Sequence, residues 1–128
     1  MSDMYELRLD WHLDAGLPAA LLAALRGHLE PDPEGERDPG PLFAGAGPAW
    51  RVGGVLSAVL SPLPDGWGLV VRQEIHAEQT DELRGLLDRL APHTATPGVI
   101  GSLRFYEYED EDGEVLEVRD GVLRGFRP

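Results

Sequence analysis

Tyr5-Glu6-Leu7-Arg8-Leu9-Asp10-Trp11-His12-Leu13 alternates apolar and polar residues through nine consecutive positions. Successive side chains of a strand point to opposite faces, so the alternation predicts a strand over 4–13. Leu7, Leu9 and Trp11 form its core face, and Glu6, Arg8, Asp10 and His12 its polar face. The other elements are placed relative to this strand.

Downstream, Pro18 suits a first helical position, where its missing N–H is no loss. Leu21, Leu22, Leu25 and Leu29 then make an apolar stripe on a helix reaching about His28. Residues 51–60 read as a second strand, with Val52, Leu56 and Leu60 in phase and Gly53-Gly54 marking a bulge or a close backbone approach. Pro62 to Gly66 is a turn. A third strand over 67–76 turns Trp67, Leu69, Val71 and Ile75 inward and Arg72, Glu74 and His76 outward. Thr80 caps a second helix whose stripe is Leu83, Leu86, Leu87 and Leu90, and Pro92 stops it. A fourth strand over 99–109 carries Leu103 and Phe105 inward, with Arg104, Tyr106 and Tyr108 outward. Asp112-Gly113 and Asp120-Gly121 signal hairpin turns, which adds strands over 114–119 and 122–127.

Strand, helix, strand, strand, helix, strand is the order of a ferredoxin-like βαββαβ arrangement. The expected fold is therefore α+β: a two-layer sandwich with antiparallel strand order 4-1-3-2, both helices on one face, and a C-terminal β-hairpin extension. Residues 1–128 form one domain. Residues 31–50, with five prolines and four glycines, are a long loop or flap whose Leu42, Phe43 and Trp50 can pack back on the body. In that order the first and third strands are neighbours. Charge complementarity suggests a register with Arg8 opposite Glu74, Asp10 opposite Arg72 and Glu6 opposite His76.

Composition narrows the function. A formal net charge of −12, from 23 acids and 11 arginines, argues against nucleic acid and anionic membrane as partners. It suits a basic protein partner. No cysteine and no lysine occur, which removes thiolate and Schiff-base chemistry and a P-loop lysine. The missing lysine and asparagine fit a GC-rich genome. No apolar stretch approaches the ~20 residues that span a bilayer, so a cytoplasmic protein is expected.

The candidate site is the face the helices leave uncovered: Glu6, Arg8, Asp10, His12, Arg72, Glu74 and His76, edged by Arg104, Tyr106 and Tyr108. A histidine there can act as a general base only if a partner positions it. Glu74 and His76 with Glu78 include metal-ligand types, but residues two apart on a strand stand about 7 Å apart, too far for one ion. No metal and no cofactor are expected. Six acids within Glu107–Glu114 resemble a calcium loop in part, but Arg119 stands where the twelfth-position glutamate belongs. Two function classes follow. The first is a non-catalytic binding or regulatory module that homodimerises or docks a basic protein. The second is a small-molecule enzyme or ligand binder of the dimeric α+β-barrel kind, with a pocket on the polar face.

Overall fold

The computed structural model describes residues 3–32, 34–37, 40–107 and 113–128. Along the chain run β1 (Met4–Asp14), α1 (Ala19–Leu29), β2 (Gly47–Pro48), β3 (Val55–Leu63), β4 (Gly66–His76), α2 (Thr80–Leu90), β5 (Gly98–Phe105), β6 (Glu114–Arg119) and β7 (Val122–Arg124). A single 3-10 turn precedes α2 and another follows it.

The strands form one antiparallel sheet in the order β2-β3-β4-β1-β5-β6-β7. This corrects the four-stranded ferredoxin-like expectation. The fold is a seven-stranded sheet with two helices. The terminal hairpin is no appendage: β6 pairs with β5 from Gly98 to Leu103, and β7 pairs with β6. The loop before β3 adds β2 at the far edge. Asp-Gly signals announce a hairpin but do not say where its strands go. The unpaired edge of β5 is a template that a following strand can extend. Asp120 and Gly121 both have positive φ, 53° and 74°, the geometry that a two-residue hairpin turn requires.

Both helices cover one face. Leu21 and Leu25 of α1 and the four leucines of α2 share one buried cluster with Leu7, Leu9, Trp11 and Leu13 of β1, Leu69, Val71 and Ile75 of β4, and Leu116 and Val118 of β6. The even-numbered residues of β1 emerge on the opposite, open face.

The register differs from the expected one by two residues. Glu6 stands opposite Glu74 and Arg8 opposite Arg72, while Asp10 faces Val70 and Met4 faces His76. A two-residue slip leaves every side chain on the same face, so apolar alternation cannot choose between the two registers. Glycines help to choose. A Cβ on Gly66 would lie 2.0 Å from the Leu13 carbonyl oxygen, and one on Gly101 would lie 1.8 Å from that of Arg8. Only glycine tolerates these approaches, so each pins its strand against β1.

Candidate functional site

A strap of chain, residues 41–54, converts part of the open face into a built site. The β3–β4 ladder ends at Ser57 and Arg72, so among the described residues no strand flanks Gln73–His76 on that side. The strap passes there from the helix layer to the open face. His28 holds its start: Nδ1 accepts the Leu42 N–H at 3.1 Å, and the His28 carbonyl accepts that of Phe43 at 2.9 Å. Burial, with the charges of Arg37 and Arg89, keeps the His28 ring below its ordinary pKa, which preserves the lone pair on Nδ1. Leu42 and Phe43 are buried in the core.

Two adjacent residues of β4 then grip the strap from opposite faces. Gln73 points into the core and is 2% exposed. Its amide exchanges two hydrogen bonds with Gly45, at 2.9 and 2.8 Å, so both ends of a buried polar group are satisfied. Glu74 points to the open face, where its carboxylate accepts the backbone N–H groups of Trp50 (2.6 Å), Arg51 (2.6 Å) and Val52 (3.2 Å). Burial raises the Glu74 carboxyl; those three donors and the His76 charge outweigh it and leave the group below its ordinary value. Gly53 and Gly54 follow at φ 74° and 70° and lead into β3, so they lie in the strap and outside any strand. Gly54 also approaches the Arg72 guanidinium, where a Cβ would stand 3.1 Å from Nη1.

Arg51 completes the closure. Its guanidinium stacks on Trp50 (4.5 Å to the ring centre) and on Tyr106 (5.1 Å), and Nη1 donates to the Tyr106 hydroxyl at 3.2 Å. The Tyr106 hydroxyl donates in turn to Glu107 at 3.0 Å, and that bond raises its pKa. Glu74 lies on β4 and Tyr106 just past β5, with β1 between them. The strap and Tyr106 therefore bracket the start of β1. Met4 and Glu6 are buried there, although both emerge on the open face.

Glu6 is the hub of the charges beneath. It is 6% exposed and meets three arginines: Arg72 at 2.6 Å, Arg104 at 3.2 Å and Arg8 at 3.3 Å. Burial alone would raise its carboxyl; hydrogen bonds from Arg8 and Arg104 and the charges of Arg8 and Arg72 more than reverse that and hold it below the ordinary range. The like-charged pairs created by the register are thus resolved diagonally. Arg72 reaches across to Glu6, and Glu74 turns to the strap.

The rest of the face is open. His12 sits at the far end of β1, with Nε2 3.1 Å from the Asp65 carboxylate and Nδ1 3.1 Å from the Thr96 hydroxyl. This resembles a hydroxyl–imidazole–carboxylate relay, but the Asp65 side chain is 73% exposed. A solvated carboxylate positions a base weakly, and the set chiefly ties the 94–96 segment to the β3–β4 turn. Asp10 makes no ion pair among the described residues. Val59, Val70, Val99, Val115 and Val122 are each more than half exposed, and all occupy open-face positions.

The expected residues therefore separate into groups. Glu6, Arg8, Arg72 and Arg104 meet in one cluster, with Glu74 and Tyr106 as anchors of its cover. His12 lies apart. His76 starts the turn before α2, its N–H donating to Gln79 at 3.1 Å. Tyr108, like most of the acidic 107–114 run, lies outside the described residues. Among the described residues no three His, Asp or Glu groups are placed to hold a metal, and no helix is long and apolar enough to cross a membrane. Sequence reasoning missed Arg51, Gln73, His28 and the exposed valines. Only Gly53-Gly54 beside Trp50 hinted at the strap, through its close backbone approach. Comparison with protein families, curated proteins and solved structures finds no match to this chain.

Proposed function

We propose that the protein is a non-catalytic binding module that works as a homodimer, joined through the open face of its sheet. One observation carries this reading: the open face differs in kind from the rest of the surface. Its strand positions hold Arg8, Arg72, Arg104, Arg119 and Arg124 against Glu6, Asp10, Asp14, Glu74 and Glu117, five charges of each sign. The formal charge of −12 therefore lies elsewhere. Two copies meeting face to face keep their acidic sides apart, and the interleaved charges can pair across a twofold axis. The exposed valines supply the apolar area that association needs. A heterologous contact, open face to helix side, leaves a second open face unsatisfied and propagates.

Sedimentation at high micromolar concentration tests the reading. The wild type should run as a dimer, Val70→Glu as a monomer, and Arg84→Glu, on the exposed side of α2, as a dimer. A monomeric wild type rejects it, and so does a dimer indifferent to Val70→Glu. The second reading, docking of a basic protein, is favoured by the same asymmetry, since the acidic side remains free in the dimer.

A further inference from the structure

We infer that the arginine cluster on the open face is a binding site for a small dianionic oxyanion, a phosphate or dicarboxylate group. Four residues stand in direct register across four strands: Ser57 opposite Arg72, Arg72 opposite Arg8, and Arg8 opposite Ser102. Neighbours in such a row have Cβ atoms about 5 Å apart, within reach of one ligand. All four side chains can donate, and the guanidinium fork fits two oxygens of a phosphate or carboxylate at once.

The charges near the row do not close without a ligand. Arg8, Arg72 and Arg104 converge on one carboxylate, Glu6. Glu74, the next acid along, is already saturated by three backbone N–H groups of the strap. Three cations against one anion leave an excess of two positive charges, which a dianion balances. Arg8 and Arg72 directly opposite one another repel, and folding alone gives no reason for that placement. Arg8 is also the accessible member. It reaches Glu6 through Nη2, and its side chain is 60% exposed, so the other edge of its fork faces solvent.

The chain's net charge of −12 opposes an anionic ligand. Its acids lie mostly away from this face, and at physiological ionic strength charges beyond about 8 Å are largely screened. The local excess therefore decides the sign at the site. The site needs no second copy of the chain.

Calorimetric titration of the whole protein with inorganic phosphate and, separately, with malonate tests the assignment, with sodium chloride as the blank. At least one of the two dianions should bind with a millimolar dissociation constant. Preference for phosphate assigns a phosphate-bearing ligand, and preference for malonate a dicarboxylate. Arg8→Gln should weaken binding by about tenfold, the loss of one charge-assisted contact. Glu6→Gln should tighten it, because it removes the competing carboxylate; a purely structural role for the cluster would not produce that gain. No binding of either dianion by the wild type overturns the inference, as does binding that Arg8→Gln leaves unchanged. Sedimentation of the same samples reads self-association separately, so either proposal can fail alone.

Discussion

On the core face of β1, Leu7, Leu9, Trp11 and Leu13 are each at most 3% exposed, and one hydrogen bond, from Trp11 Nε1 to Thr94 at 2.9 Å, satisfies the only side-chain polar group among them. On the open face of the same strand, Glu6 is nearly as buried, yet it needs three arginines brought from two other strands and from its own. The difference is one of partner choice. Apolar burial is non-directional and accepts any well-packed neighbour. A buried carboxylate accepts only donors at hydrogen-bond distance, and without them it would take up a proton. The core face is thus specified by pattern, and the open face by particular partners, several of them on the strap.

Substitution in the core should break this contrast most visibly. Leu9→Ala should destabilise the protein by about 2–5 kcal/mol in a denaturant titration, the range for a buried leucine truncated to alanine. A loss under ~1 kcal/mol would mean that β1 is not the central buried strand.

Glu6→Ala should cost less, about 2 kcal/mol. Removing one partner of a fully buried ion pair costs about 3–5 kcal/mol, but Arg8 is 60% exposed and water can solvate it in the variant. Limited proteolysis of the same variant should leave the strap protected, because Glu74 and Gln73 still hold it. A loss equal to that of Leu9→Ala would erase the distinction between the faces.

The subtlest difference is in pH dependence. Glu6 and Glu74 both lie below the ordinary carboxylate value of 4.5 in the folded protein. The unfolded chain therefore binds protons first as pH falls. Their stabilisation is complete above about 4.5 and is lost as pH drops through the folded values. Stability measured at successive pH values below that point should decline in the wild type and in Leu9→Ala alike. In Glu6→Ala the decline should be shallower. An unchanged slope would show that the open-face cluster contributes nothing to the acid response.

Much of this molecule is legible from local pattern. The alternation over 5–13, the leucine stripe of α2 and the Asp120-Gly121 turn each follow from short-range geometry, and each carries its own signal within about ten residues. The strand count did not follow, because β2 is two residues long and β6–β7 were readable as strands but not as members of the same sheet. The candidate face was legible as a set of residues. Their grouping was not: placing opposite charges directly across from one another gave a register two residues out.

Sequence alone determined which residues of β1 and β4 share a face, because side-chain direction depends only on the parity of position along a strand. It also determined the net charge and the absence of thiol and amine nucleophiles. Tertiary structure decided the rest. Which charges meet depends on register, and register is set by close backbone contacts at Gly66 and Gly101, residues far apart in the chain. Whether Glu6 is buried depends on a strap that enters around the unpaired edge of β4 and is held there by Gln73 and Glu74. These are long-range approaches, and the residues that make them carry no local signature of the partner they will meet.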